Sequence, residues 1–290
     1  MTAKKNILLI NPWIYDFTAC DFWLKPLGLL YVASLLKKHT RFDLRFIDCL
    51  DRGHPLLSKK PKTRPDGRGS FPKEEVPKPE ALHNIPRKYS RYGIPVRLFI
   101  DELSQVPPPE LVLVTCTMTY WYPGVQVILD LVRKKFGRVP VVLGGVYATL
   151  VPEHARRYSG ADVIFQGPAE RGFLRLIKEI LGDDSCSEEE YEALDDIPWP
   201  CFDVLRNKDT LPVLTSRGCP FRCSFCAAPL LHKNFEQRDP SSVLSEIEQN
   251  FRLYKTRNIV FYDDALLLNK ERHLFPLLEG VVRKNLPLAF

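Results

Sequence analysis

The sequence predicts an α/β protein: a doubly wound parallel sheet followed by a second series of β/α units. Five short apolar runs alternate with amphipathic helical stretches up to residue 182, as expected of strands that are buried on both faces. The alternation resumes at residue 211, after a proline-rich stretch, and continues to residue 290. The chain therefore divides into a sheet domain (1–182), a linker (183–210) and a second domain (211–290).

Element boundaries follow from the spacing of apolar residues and from the residues that end each run. Pro95 can begin one helix, and Asp239 can cap another that begins at Pro240. The predicted strands are 6–10, 44–47, 111–116, 139–143, 162–165, 212–216, 258–262 and 286–290. The predicted helices are 27–38, 96–103, 125–136, 171–181, a segment after Asp239-Pro240, and 270–283.

The first five strands predict a flavodoxin-like sheet with the order 2-1-3-4-5. Ligands of such sheets bind beyond the carboxyl ends of the strands. The residues expected to line this site are Thr115, Thr117, Gly144, Gly145 and Gly167. Glycine suits such an edge because the missing Cβ lets a ligand approach the backbone closely.

A Pro/Lys-rich insert at about 51–95 interrupts the sheet domain and carries much of the +6 net charge. Its stretch 58–65 predicts an extended, mobile loop. A solvated loop is one interpretation, and an arm that binds RNA or a partner is the other.

The composition of the chain indicates the cellular compartment in which the protein is expected. Apolar residues make up 45% and charged residues 26%, which is typical of soluble globular proteins. No run approaches the roughly 20 apolar residues of a membrane span, and the N-terminus lacks the apolar core of a secretory signal. We expect a cytoplasmic protein without membrane contacts, in which eight cysteines do not form a disulfide framework.

The cysteines Cys219, Cys223 and Cys226 form a C-x3-C-x2-C pattern directly after a predicted strand. Soft thiolates suit zinc or iron–sulfur clusters. A structural zinc site needs four ligands, commonly in two pairs, and only His232 is nearby as a fourth. The pattern favours an iron–sulfur cluster with one open iron, and leaves zinc or three unrelated cysteines as alternatives.

This segment, with Phe225 before the third cysteine, resembles the signature of the radical S-adenosylmethionine (SAM) superfamily. The resemblance implies that the three cysteines hold a [4Fe-4S] cluster whose open iron binds SAM, and that an electron from the cluster cleaves SAM to a 5'-deoxyadenosyl radical. It places Phe225 near the adenine. Asp263 and Asp264 end a barrel-type strand, and one of them is expected to bind the SAM amino group.

The sheet domain is similar to the cobalamin-binding-type domain of the B12-binding-domain radical SAM family. The similar segments are 26–33, 117–124, 143–149 and 167–170 in this domain, and with 196–200 and 261–264 further along the chain the resemblance covers nearly the whole sequence. Cobalamin is therefore a further expected cofactor. The D-x-H-x-x-G motif that supplies an axial histidine in many B12 proteins is absent, because Asp16 is followed by Phe17 and Thr18.

The resemblance implies that the later part of the chain holds only the first β/α units of a radical SAM partial TIM barrel. Two complete units and the strand 286–290 cannot close a barrel. We therefore expect the chain to be a truncated form of a longer protein, and a poor catalyst.

The function expected from the resemblance is methyl transfer to an unactivated carbon, or a radical rearrangement, of an unknown small-molecule substrate. An electron donor such as flavodoxin or ferredoxin would supply the reductant, and no catalytic side chain is assigned. A non-catalytic iron–sulfur or cobalamin-binding fragment is one alternative, and an RNA-modifying radical SAM enzyme is another. Nucleic acid is the less favoured partner, because the basic surplus is confined to one segment.

Overall fold

The computed structural model describes residues 4–184 and 186–290. Its strands are β1 (Asn6–Asn11), β2 (Ile14–Asp16), β3 (Cys20–Asp21), β4 (Asp43–Asp48), β5 (Gly69–Ser70), β6 (Lys73–Glu75), β7 (Ser90–Tyr92), β8 (Leu111–Thr115), β9 (Val141–Gly144), β10 (Val163–Ile164), β11 (Thr210–Val213), β12 (Ser216–Arg217), β13 (Glu236–Gln237) and β14 (Asn258–Phe261). Its α-helices are α1 (Leu27–His39), α2 (Val96–Ser104), α3 (Tyr122–Phe136), α4 (Val146–Leu150), α5 (Pro152–Tyr158), α6 (Phe173–Leu181), α7 (Ala228–Leu231), α8 (Pro240–Tyr254) and α9 (Leu274–Arg283).

The central sheet has the strand order β10-β9-β8-β1-β4, and every pair in it is parallel. This confirms the predicted flavodoxin-like order. The helices α4 and α5, which the apolar pattern did not predict, occupy the connection between β9 and β10.

The two faces of this sheet are buried by different helices, because successive side chains of a strand point to opposite faces. Ile7 and Leu9 pack in one core with residues of α1 and α6. Leu8 and Ile10 pack in the other core with residues of α2, α3, α4 and α5. The continuous apolar runs of the sequence are therefore explained by burial on both faces.

The insert is folded against the sheet domain through β5, β6 and β7, which lie after the stretch 58–65 that the sequence predicted as an extended loop. β6 and β7 form an antiparallel sheet with β2, and β5 pairs with β3. Within the predicted loop, Thr63 pairs with Gly69 and accepts a hydrogen bond from Arg52. Arg52 also binds Asp21 at 2.6 Å and the carbonyl of Gly67 at 2.6 Å. Composition could not reveal these tertiary partners.

The linker packs against α1 and belongs to the core of the sheet domain. The Cys201 amide donates to the Leu30 carbonyl at 3.1 Å, and the Ser34 hydroxyl donates to the Trp199 carbonyl at 2.5 Å. Tyr191 and Phe202 are buried in the same core as α1. The linker therefore fixes the position of the second β/α series.

In the second series, β11 and β14 pair in parallel, and α8 and α9 cover them. The strand predicted at 286–290 is reduced to a single parallel bridge between Asn258 and Ala289. Buried Arg238 joins this series to the linker, donating to Glu246 at 2.6 Å and to Asp195 at 3.2 Å. Within the described residues, no helix is long and apolar enough to cross a membrane.

Candidate cofactor site between the two β/α series

A cavity of about 440 Å³ lies at the carboxyl edge of the central sheet. Its lining includes the five residues that the sequence predicted there: Thr115, Thr117, Gly144, Gly145 and Gly167. Apolar residues from the start of α1 and from β8, β9 and α6 form much of the remaining wall, namely Leu27, Leu29, Val32, Leu113, Val142 and Phe173. The structure therefore brings the predicted edge residues together around one space that suits a largely apolar ligand.

The two glycine segments of this edge are held together by Thr149. The Thr149 hydroxyl donates to the Gly145 carbonyl at 2.9 Å and accepts from the Gly167 amide at 3.1 Å. Gly145 has φ +91°, and an added Cβ would lie 2.8 Å from the Cys116 carbonyl oxygen. Gly145 is thus required by the backbone itself. Gly144, by contrast, has only one neighbouring atom, at 4.0 Å from an added Cβ.

The second β/α series supplies the opposite wall of the cavity, with Leu214, Arg217, His232, Tyr262 and Asp264. Arg217 forms an ion pair with Glu170 of the sheet domain, and both side chains are largely buried. Because Arg217 precedes Cys219 by only two residues, this ion pair anchors the start of the cysteine loop to the sheet domain.

Tyr262 makes a second connection between the two series. Its hydroxyl accepts from the Lys25 amide at 2.8 Å and donates to the Trp23 carbonyl. Burial raises the pKa of the Tyr262 phenol above its usual range, so the group stays protonated. The segment before α1 is thereby fixed to the end of β14.

The cysteine loop lies at the surface beside this cavity wall. Cys219 is half-buried, and Cys223 and Cys226 are exposed; all three are free thiols. Across residues 4–184 and 186–290, no three His, Cys, Asp or Glu side chains converge in a metal-binding arrangement. The donor set nevertheless fits an iron–sulfur cluster, because three soft sulfur ligands occupy one short loop.

The other predicted site residues, Phe225, Asp263 and Asp264, lie in different surroundings. Phe225 is 91% exposed and lies outside the cavity lining, so its contact with adenine stays a prediction. The Asp263 carboxylate accepts from the Thr215 and Ser216 hydroxyls at 2.7 and 2.6 Å. Asp263 therefore holds the strand ends together, whereas Asp264 lines the cavity.

Sequence reasoning missed several cavity residues that come from distant parts of the chain, among them Lys25, Tyr31, Thr149, Glu170 and Arg217. His232 had been considered only as a fourth ligand of the cysteine loop. Burial is the largest influence on its imidazole and lowers its pKa, with Arg217 acting in the same direction. His232 therefore presents a neutral imidazole to the cavity at neutral pH.

Comparison with known proteins agrees with this architecture. Residues 95–177 match the family model of the B12 binding domain. The chain is 29% identical over 191 residues to an uncharacterised methyltransferase of Pyrococcus horikoshii, covering 57% of this chain and 41% of the relative. It is 28% identical over 167 residues to bacteriochlorophyllide d C-8(2)-methyltransferase of Chlorobaculum tepidum, covering 50% and 36%.

Among solved structures, the radical S-adenosylmethionine methyltransferase TsrM of Kitasatospora setae, with tryptophan substrate and a SAM analogue bound, has the same fold. The TM-score is 0.62 at 16% identity, covering 97% of this chain and 51% of that chain. The chain thus carries a B12-binding-type domain, and its fold as a whole is similar to that of TsrM. The predicted resemblance to the B12-binding-domain radical SAM family is confirmed by these matches. The chain spans about half the length of these proteins or less.

Proposed function

We propose that the protein is a cobalamin-linked radical SAM enzyme that transfers a methyl group to a carbon of a small-molecule substrate. One observation carries the proposal: a single cavity is walled on one side by the glycine-rich edge of a B12-binding-type sheet and on the other by residues flanking the cysteine loop. Cofactors held on these two sides would lie close enough to act on one another.

On the loop side, Cys219, Cys223 and Cys226 would ligate a [4Fe-4S] cluster. When bound, the cluster, SAM and cobalamin supply the electron and methyl-group chemistry, which side chains cannot provide. The ion pair between Arg217 and Glu170 holds the start of the loop against the sheet domain. Asp264 would bind the SAM amino group; its position in the cavity lining supports this, and Asp263 already accepts from Thr215 and Ser216.

On the sheet side, the cavity edge formed by Thr115, Thr117 and Gly144 would receive the cobalamin. Glycine leaves room for a ligand to approach the strand ends, and open space surrounds a Cβ added at Gly144 or Gly167. The apolar residues of α1 and α6 exclude water from the inner wall. Exclusion of water protects reactive intermediates from side reactions.

The test is anaerobic reconstitution followed by counting of cofactors and products. We expect about four irons and one cobalamin per chain, with a thiolate-to-iron absorption band. With reductant and an accepted substrate, radical methyl transfer leaves both S-adenosylhomocysteine, from the SAM that donates the methyl group, and 5'-deoxyadenosine, from the SAM that is cleaved to the radical; a radical rearrangement leaves 5'-deoxyadenosine without S-adenosylhomocysteine. A protein that retains zinc and takes up neither iron nor cobalamin would contradict the proposal.

A ferredoxin or flavodoxin is the proposed electron donor, and the cytoplasm is the proposed compartment. Three exposed or half-exposed cysteines on a surface loop support this, because a cluster held there is accessible to a small redox protein. Replacing the chemical reductant by a reduced ferredoxin should support the same product formation. If dithionite supports product formation and none of the tested ferredoxins or flavodoxins does, the proposed electron donor is wrong.

A further inference from the structure

A second concave surface is not explained by the proposed reaction. It is a polar cleft of about 700 Å³ beyond the end of β4, which we call the insert cleft. One wall comes from the insert, with Lys60, Pro61 and Thr63, and the other from the linker, with Arg206, Asn207 and Lys208. The basic insert of the sequence therefore folds back to enclose a space with the linker.

The acidic groups of the insert cleft are largely neutralised within the protein. Asp21 accepts from Arg52 at 2.6 Å, and Asp51 accepts from Arg206 at 3.1 Å. Both arginines also have other protein partners, since Arg52 donates to Thr63 and Arg206 donates to Glu102. These four side chains form fixed, charge-balanced pairs in the walls.

The remaining charges are three ammonium groups and one carboxylate. Within the described part of the chain, the Lys60 ammonium group has no hydrogen bond or ion pair, and the Lys25 ammonium group has only an electrostatic attraction to the Asp48 carboxylate, which lies outside the lining of the cleft. Lys208 donates to the Leu205 carbonyl and lies 5.6 Å from the centre of the Tyr254 ring, so two of its three donors stay available. Asp209 lines the same cleft. The cleft therefore carries a surplus of positive charge.

We propose that the insert cleft binds a small organic molecule that bears a phosphate or carboxylate group. The three ammonium groups would bind its oxyanion, because hydrogen bonds between ionised partners are the strong ones. Leu253 and Tyr254 provide an apolar side for the carbon skeleton. Lys25 also lines the cavity at the sheet edge, so the bound molecule lies next to the proposed cobalamin site.

The experiment is calorimetric titration of the full chain at low ionic strength with pyrophosphate and, separately, with citrate. We expect saturable one-to-one binding of at least one of them, and the one that binds identifies phosphate or carboxylate as the recognised group. The double variant Lys60→Gln/Lys208→Gln should weaken this binding about tenfold or more, because charge-assisted contacts are lost. The control Lys134→Gln/Lys135→Gln removes equal charge from the exposed surface of α3 and should leave the affinity unchanged.

A second variant, which is expected to change the affinity in the opposite direction, controls for misfolding. Asp209→Asn removes the remaining carboxylate and should tighten binding, which an unfolded protein cannot do. Absence of saturable binding, or equal weakening by the control pair, would overturn the proposal. Preferential binding of an oligouridylate, sensitive to Lys60 and Lys208 while both small anions fail, would assign the surface to RNA and also overturn it. The titration can be made on protein without bound cluster or cobalamin, so its result does not depend on whether those cofactors are loaded.

Discussion

The cysteine loop and the cavity at the sheet edge differ in how their chemistry is encoded. Cys219, Cys223 and Cys226 lie within one short loop, and their side chains are mostly exposed. The cavity is assembled from residues as distant as Lys25 and Asp264, and ion pairs and hydrogen bonds hold its walls in place. A ligand set can thus be local in sequence, whereas a shaped cavity depends on packing between remote segments.

The largest expected effect is the loss of iron in variants of the cysteine loop. Cys219→Ala, Cys223→Ala and Cys226→Ala should each abolish iron incorporation, because a cluster held by three thiolates has no spare protein ligand. Iron analysis and the absorption band of the reconstituted protein measure this. Cys20→Ala, at an exposed site, and Cys186→Ala, at a buried site, are matched controls that should keep their iron. A loop variant that retains full iron would refute the assignment of that cysteine.

The next effect concerns buried Arg238, which pairs with Glu246 inside the second β/α series and also donates to Asp195 of the linker. Arg238→Met should lower the free energy of unfolding by about 3–5 kcal/mol, because Glu246 would be left as an unpaired buried charge. Urea denaturation measures the change. The double variant Arg238→Met/Glu246→Leu should recover most of it, since no isolated charge remains. A single variant as stable as the parent would show that the buried pair of Arg238 and Glu246 does not stabilise the fold.

A third effect separates the cavity from the loop. Gly144→Leu places a side chain in open space at the cavity edge without requiring an unusual φ. Cobalamin affinity should fall about tenfold or more, because a well-fitted site tolerates added volume poorly, while iron content stays unchanged. Spectrophotometric titration with hydroxocobalamin measures the affinity.

Gln166→Leu is the matched control for this substitution. It adds the same side chain at an exposed position of the same sheet edge, outside the cavity lining. Equal loss of affinity in the two variants, or none in Gly144→Leu, would place the cobalamin elsewhere.

The smallest effect is a pH dependence within the sheet domain. Burial raises the pKa of Asp48 to about 6, with Lys25 and the Asn11 amide acting in the opposite direction. The unfolded chain has the ordinary pKa of about 3.9, so the folded state binds more protons between about pH 4 and pH 6. This contribution to the free energy of unfolding is present at low pH and is lost as pH rises through that window.

Asp48→Asn should therefore remove this slope and raise the free energy of unfolding at pH 7 by about 1–2 kcal/mol. The Asn side-chain oxygen can still accept from Asn11 and from the Leu50 amide. Denaturation curves at several pH values measure the slope. Asp43→Asn, at an exposed position of the same strand, is the control. An unchanged slope in Asp48→Asn would locate the dependence in another group.

The sequence by itself determined the central sheet and the ligand chemistry. Continuous apolar runs specify strands buried on both faces, and the connecting helices then favour the observed strand order. The carboxyl edge with Gly144 and Gly167 and the three cysteines follow from the same local patterns. These signals can be read because the residues that carry each of them are close neighbours in the chain.

Only the tertiary structure decided how the two series meet. The ion pair between Glu170 and Arg217, the link from Tyr262 to Lys25, and the packing of the linker on α1 join residues far apart in sequence. The insert contains short strands that composition did not indicate, and within its predicted loop Thr63 accepts a hydrogen bond from Arg52, which also binds Asp21. Such contacts depend on the approach of whole elements, which burial of their apolar faces drives and which no local pattern specifies.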